Sequence, residues 1–221
     1  MVEFEAGSAT GTGYLVIPER GQGPGVLVLH AWWGLTEFFK EVCERLAREG
    51  FVALVPDLYQ GKTAATIDEA RALLEQRDAE RMQAIATGAL AALREHRAVR
   101  GGDIGAVGFS MGGAWAVLLS SLVPEAVAAV VIFYASEGAD FTAARAAYLG
   151  HFAEDDEWEP IDEVRQMEAD MRAAGREVTL YIYPGVAHWF FESDRPEYDR
   201  DAAALAWERT RTFLRERLAR G

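Results

Sequence analysis

Gly108-Phe-Ser-Met-Gly112 is the stretch whose residue types and spacing point most directly to chemistry. A serine between two glycines, at the junction of an apolar strand-like run and an apolar helix-like run, fits a nucleophile elbow, the strained turn that pushes a hydroxyl out at a sheet edge. The flanking glycines have a steric reason, since side chains there would collide across the turn. A serine hydroxyl is a weak nucleophile unless a base takes its proton, so a histidine must reach Ser110. The chain has four. His30 follows an early strand, His96 sits on a helix and His151 lies inside a strand, where a hydrogen-bonded core histidine is expected. His188, in Pro184-Gly-Val-Ala-His188, falls in a loop just past the last strand and is the expected base.

A carboxylate must then hold the imidazole in the right tautomer. With the chain order serine, acid, histidine, it should follow a strand between Ser110 and His188. Asp140 follows one such strand, and Glu154-Asp-Asp-Glu157 follows the next. The Asp156-x-x-x-Pro160 spacing selects Asp156, with Asp155 as near rival and Asp140 as third choice. The oxyanion formed on attack needs preorganised backbone N–H donors. Those expected are Met111, the residue after the nucleophile, and Trp32, in the loop after the early central strand.

The elements that must position these residues alternate. Two short strands are expected in residues 1–17, with Gly11-Thr-Gly13 as their turn and a place at the sheet edge. Val26-Leu-Val-Leu29 reads as a central strand, Glu37–Glu49 as a helix with Phe38, Val42 and Leu46 inward, and Phe51–Val55 as a further strand. Residues 57–77 form an excursion carrying a short helix over Ile67–Glu75 that could cover the site, followed by a longer helix over Ala79–Arg97. Strands over Ile104–Phe109, Ala126–Ala135, Ala146–Phe152 and Val178–Tyr183 alternate with helices over Met111–Leu122, Ile161–Ala174 and Asp201–Leu218. This order calls for an α/β fold, a mainly parallel sheet with helices on both faces, whose ligands gather at the carboxyl ends of strands.

With 221 residues, half of them apolar, the chain can bury a full core, and residues 1–221 are expected to form one domain. A formal charge of −13 argues against nucleic acid and anionic membranes as partners. The lone Cys43 can form no internal disulfide, the N-terminus lacks a signal-peptide pattern and no apolar run reaches membrane-spanning length, so a cytoplasmic location is expected. Gly61-Lys-Thr63 hints at a phosphate loop, but Pro56, with no N–H to offer, stands where that pattern needs a glycine. No metal and no cofactor is expected.

Gly108-x-Ser110-x-Gly112-Gly113, Asp156-x-x-x-Pro160 and Pro184-Gly-x-x-His188, together with Trp33-Gly34, Pro56-Asp-Leu-Tyr59 and Tyr134, resemble the dienelactone hydrolase family of α/β-hydrolases over most of the chain. The resemblance implies a sheet of about seven or eight strands and hydrolysis of small-molecule esters or lactones. Trp33, Tyr59, Tyr134 and Trp189 are the residues expected to bind substrate. Family members that act on dienelactone carry a cysteine nucleophile and an early-loop glutamate, where this chain has Ser110 and Ala31. They also carry an arginine four residues past the histidine, where this chain has Glu192, an acid expected to repel a substrate carboxylate. The reading is therefore a serine esterase acting on a neutral ester or lactone through an acyl-enzyme. The alternatives are a thioesterase or acyltransferase on the same residues, or a ligand-binding protein that lost turnover.

Overall fold

A computed structural model describes residues 1–218 of the chain. Its elements run β1 (Val2–Ala6), β2 (Ala9–Val16), β3 (Gly23–Leu29), α1 (Glu37–Arg48), β4 (Val52–Pro56), α2 (Ile67–Glu75) and α3 (Ala79–Glu95). They continue as β5 (Val99–Phe109), α4 (Met111–Leu122), β6 (Val127–Phe133), β7 (Ala147–Asp155), α5 (Ile161–Ala173), β8 (Val178–Ala187) and α6 (Arg200–Leu218). The eight strands form one sheet in the order β1-β2-β4-β3-β5-β6-β7-β8. The β1/β2 and β2/β4 pairs are antiparallel and every other pair is parallel.

Val26, Leu27, Val28 and Leu29 of β3 are all fully buried, because helices cover both faces. Leu27 and Leu29 belong to the core on the side of α3 and α4, while Val26 and Val28 belong to the core on the side of α1 and α6. This alternation is the two-residue period of a strand, and it explains why the run carries no polar residue. After β3 the chain turns to β4 on one side, and the next parallel strand, β5, lies on the other. The carboxyl ends of β3 and β5 therefore flank the topological switch point, where sheets of this kind open a crevice.

Two expectations need correction. The first hairpin turns at Gly7-Ser8, not at Gly11-Thr-Gly13: Gly7 takes φ +63° and Ala6 pairs with Ala9. Gly11 instead pairs with Phe4 inside the ladder and lies under its ring, so a turn-like sequence serves as strand. The last strand continues through Pro184-Gly185 to Ala187. Because β8 is an edge strand, a proline without an N–H can stand where no neighbour needs one.

The first turn of α4 is pressed against the end of β3. A Cβ on Gly112 would stand 2.1 Å from the Leu29 carbonyl oxygen, and one on Gly108 would stand 2.1 Å from the Gly112 carbonyl oxygen. Neither obstacle is a side chain that could swing away. Gly112→Ala is expected to destabilise the fold by about 3 kcal/mol or more. Gly102→Ala, at a β5 position with open space around it, is expected to be neutral or stabilising by ~0.5–1 kcal/mol. Urea denaturation of the two variants checks this; equal midpoints would refute the steric account.

Candidate active site

Ser110 stands between β5 and α4 with φ 50° and ψ −119°, a conformation that costs a non-glycine residue roughly 1–3 kcal/mol. It is held there from both sides. Its N–H donates to the Phe133 carbonyl at 2.9 Å, and its carbonyl accepts from the Gly113 and Ala114 N–H groups at 2.7 and 3.2 Å. His188 Nε2 lies 3.2 Å from Ser110 Oγ, and His188 Nδ1 lies 2.8 and 3.0 Å from the two carboxyl oxygens of Asp156. With Nδ1–H donating to Asp156, the Nε2 lone pair faces the serine hydroxyl. The Asp156 side chain is 1% exposed and also accepts from the Trp158 and Glu159 N–H groups at 2.9 and 3.1 Å. Of the acids considered, Asp156 alone reaches the imidazole; Asp155 is exposed, and Asp140 accepts from its own Thr142 N–H at 3.0 Å.

Ser110 follows β5, while His188 follows β8, three positions along the sheet and roughly 14 Å away at ordinary strand spacing. The gap is closed by Trp189-Phe-Phe191, which folds back over the strand ends. Trp189 takes φ 66°, and the Phe191 ring lies 4.5 Å from Phe133 and 5.6 Å from Phe109 between centroids. Tyr134, also at positive φ, places its ring 4.7 Å from the imidazole of His188.

The Trp32 and Met111 N–H groups, the expected oxyanion donors, have no acceptor among the described residues. Gly112, the residue after Met111, closes on the backbone of Leu29 and His30, just before the Trp32 loop. His30 braces this corner: Nδ1 lies 2.7 Å from the Ala31 carbonyl, and Nε2 accepts from the Leu58 N–H at 3.1 Å, so the imidazole is fixed in its Nδ1–H tautomer. The Tyr59 hydroxyl donates to Met111 Sδ at 3.2 Å, and burial pushes that phenol up to about 12. His151 is the core histidine expected, between the Tyr183 and Thr210 hydroxyls, with burial bringing it down to about 3.

A cleft of about 520 Å³ opens over Ser110 and His188. Trp32 and Trp189 line it. Trp33, Tyr59 and Tyr134 do not, so three of the four residues expected to bind substrate stand behind the wall instead. Trp33 is 2% exposed, sandwiched between Trp189 and the Arg195 guanidinium. Tyr59 props Met111, and Tyr134 supports the imidazole. The sequence reading missed Ala114, Trp115 and Leu118, which line the cleft from α4. They lie three, four and seven residues past Met111, so helical periodicity would have found them. Trp158 and Glu159 stand two and three residues past Asp156. Leu74 and Arg77 come from the excursion, Ala79 from the start of α3, and Glu137 and Gly138 from the loop after β6; no local signal marks them.

Glu192 also overturns an expectation. It is fully buried and absent from the cleft wall, so it cannot face a substrate. Its Oε1 accepts from the Tyr134 hydroxyl at 2.8 Å and its Oε2 has no partner among the described residues. Burial pushes this carboxyl up to about 8, against the opposing pull of the Tyr134 hydrogen bond. Glu159, in the cleft wall, accepts from the Ser136 N–H at 2.8 Å and from the Ser136 hydroxyl. It too is raised to about 8, first by burial and then by Glu137 and Asp156. Glu137 is raised chiefly by burial.

The profile of the Dienelactone hydrolase family matches residues 12–218. The chain belongs to this family. It is 36% identical to Protein usf of Aquifex pyrophilus, an alignment covering 99% of this chain and 98% of that protein. It is 34% identical to the "Putative carboxymethylenebutenolidase" of Aquifex aeolicus, covering 97% of each. Among solved structures it superposes with a TM-score of 0.86 on the dienelactone hydrolase-like promiscuous phosphotriesterase P91 from metagenomic libraries. There the identity is 24%, covering 98% of this chain and 96% of that one. For this member of the dienelactone hydrolase family, the eight-stranded, mostly parallel sheet is thus the α/β-hydrolase fold. No helix among the described residues is long and apolar enough to cross a membrane.

The buried Glu192 makes stability depend on pH with a definite sign. The unfolded chain ionises it near the ordinary value of 4.5 and the folded chain near 8, so between these values the folded state holds the extra proton. Stability therefore falls as pH rises through that window. Glu192→Gln keeps an acceptor for Tyr134 and has no proton to lose. Its urea midpoint should exceed that of the wild type by a margin that grows from pH 5 to pH 8 and then levels. Glu159 contributes the same slope to both proteins and cancels. A margin independent of pH would refute the assignment.

Proposed function

We propose that this protein hydrolyses a carboxylic ester or lactone through an acyl-enzyme on Ser110, with His188 as base and Asp156 as the acid that orients it. The observation that carries the reading is the unbroken hydrogen-bond run from Ser110 Oγ through both ring nitrogens of His188 to a buried Asp156. Membership of the dienelactone hydrolase family and a relative named as a carboxymethylenebutenolidase support the same class of reaction.

In the first half-reaction Ser110 Oγ bonds to the ester carbonyl carbon as its proton passes to His188 Nε2. The carbonyl oxygen takes the negative charge and is met by the Trp32 and Met111 N–H groups, which have no other acceptor among the described residues. The tetrahedral carbon then expels the alcohol, which takes the proton from Nε2. In the second half-reaction water adds to the acyl carbon, His188 receives its proton, and the acid leaves as that proton returns to Ser110. Through both halves Asp156 keeps Nδ1 protonated and stabilises the imidazolium. Its two backbone donors, Trp158 and Glu159, hold the carboxylate in place.

The direct test is hydrolysis of a short-chain p-nitrophenyl ester series, with and without a chelator. Wild-type activity should survive chelation and fall to background in Ser110→Ala. Stoichiometric labelling of Ser110 by a fluorophosphonate should accompany it; an unlabelled serine in an inactive protein would overturn the proposal. Asp156→Asn should fold normally and lose ~10⁴ in kcat, because the amide can hold the wrong tautomer of His188. A loss below tenfold would remove Asp156 from this role.

A further inference from the structure

Four of the chain's six tryptophans line the cleft over Ser110. Trp32, Trp158 and Trp189 form one cluster. Trp32 and Trp189 are near-parallel, at 24° and 6.1 Å between centroids, and Trp158 meets them at 5.2 and 5.7 Å. Trp158 also stands 6.4 Å from the His188 ring, which puts the cluster beside the reacting hydroxyl. Trp115, one helical turn beyond Met111, brings a fourth indole from α4. Indole faces carry a quadrupole that favours offset or edge-on contact with another arene over contact with a saturated ring of the same size.

A further observation narrows the ligand. Besides His188, the titratable side chains lining the cleft are the exposed Glu137 and Arg77 and the half-buried Glu159, whose carboxyl burial raises to about 8. No buried fixed charge waits there for a charged substrate. A cleft of about 520 Å³ accommodates a ring and an ester group together.

We infer that the preferred substrate is an uncharged ester whose acyl or alcohol part carries an aromatic ring, seated among Trp32, Trp115, Trp158 and Trp189. This rests on the hydrolase reading of Ser110 and adds the substrate class to it.

The test compares benzyl acetate with cyclohexylmethyl acetate, two esters of matched size and apolar character whose alcohols leave with similar ease. Wild-type kcat/KM should favour the benzyl ester about fivefold to tenfold, the effect of a well-placed ring contact. Trp158→Leu should bring the ratio below twofold, and Trp158→Phe should restore it. The Trp158 N–H that holds Asp156 is unchanged in both. Should Trp158→Leu fail to fold, Trp115→Leu, on a half-buried position of α4, takes its place. Calorimetric titration of Ser110→Ala with the same two esters reads the preference without turnover. A binding preference for the benzyl ester in a protein that never turns over would keep the cleft assignment and overturn the hydrolase reading. Hydrolysis of both esters at equal rates would do the reverse. A marked preference for acetylcholine over 3,3-dimethylbutyl acetate, its uncharged counterpart, would make the indoles a cation cage and overturn the inference.

Discussion

The geometry of the site is set by one backbone approach, the first turn of α4 lying against the end of β3. Gly112 is where the two meet, with no room for a side chain before the Leu29 carbonyl. From that contact follow the strained dihedrals of Ser110, which the chain must adopt to leave β5 and enter α4 within one residue. The corner is then braced on both flanks, by His30 between Ala31 and Leu58 and by Tyr59 under Met111. None of these braces has to touch a substrate for the site to depend on it.

A second requirement is distance. Three strand spacings separate the end of β5 from the end of β8, and a histidine side chain does not span them. The chain crosses by laying Phe190 and Phe191 over the ends of β5 and β6, where Phe109, Phe133 and Tyr134 already form an aromatic layer. The imidazole therefore rests on packed rings, and its position is fixed by hydrophobic burial as much as by its hydrogen bond to Asp156.

Carboxyl groups around this layer are sorted by their surroundings. Asp156 receives the imidazole N–H and two backbone N–H groups, and so is furnished to accept. Glu192, a few ångströms behind the imidazole's supporting tyrosine, receives one phenol and is otherwise dry, so its proton stays to about pH 8. Glu159 receives Ser136 but shares its space with Glu137 and Asp156, with the same outcome. Local solvation and the number of donors, more than residue type, decide what each acid does.

What the sequence by itself determined is whatever local rules govern. The alternation of strands and helices, the fully apolar run of β3, the helices over Ile67–Glu75 and Met111–Leu122 and the steric need for Gly108 and Gly112 all follow from periodicity and backbone sterics. Ser110, Asp156 and His188 could be chosen because each follows a strand at the same sheet edge in a fixed chain order. The tertiary structure decided what chain order cannot carry: which side of a wall each aromatic faces. Trp32 and Trp189 line the cleft while Trp33, between the same neighbours, is sealed behind it, and Glu192 sits in a dry pocket under Tyr134. The Gly11-Thr-Gly13 stretch became strand because Phe4 covers Gly11 from across the ladder, a partner on the neighbouring strand and invisible in the local pattern. Strand and helix rest on contacts a few residues apart, whereas the cleft wall joins α4 and the α2 to α3 segment to loops after β3, β6, β7 and β8, and only the folded sheet brings those together.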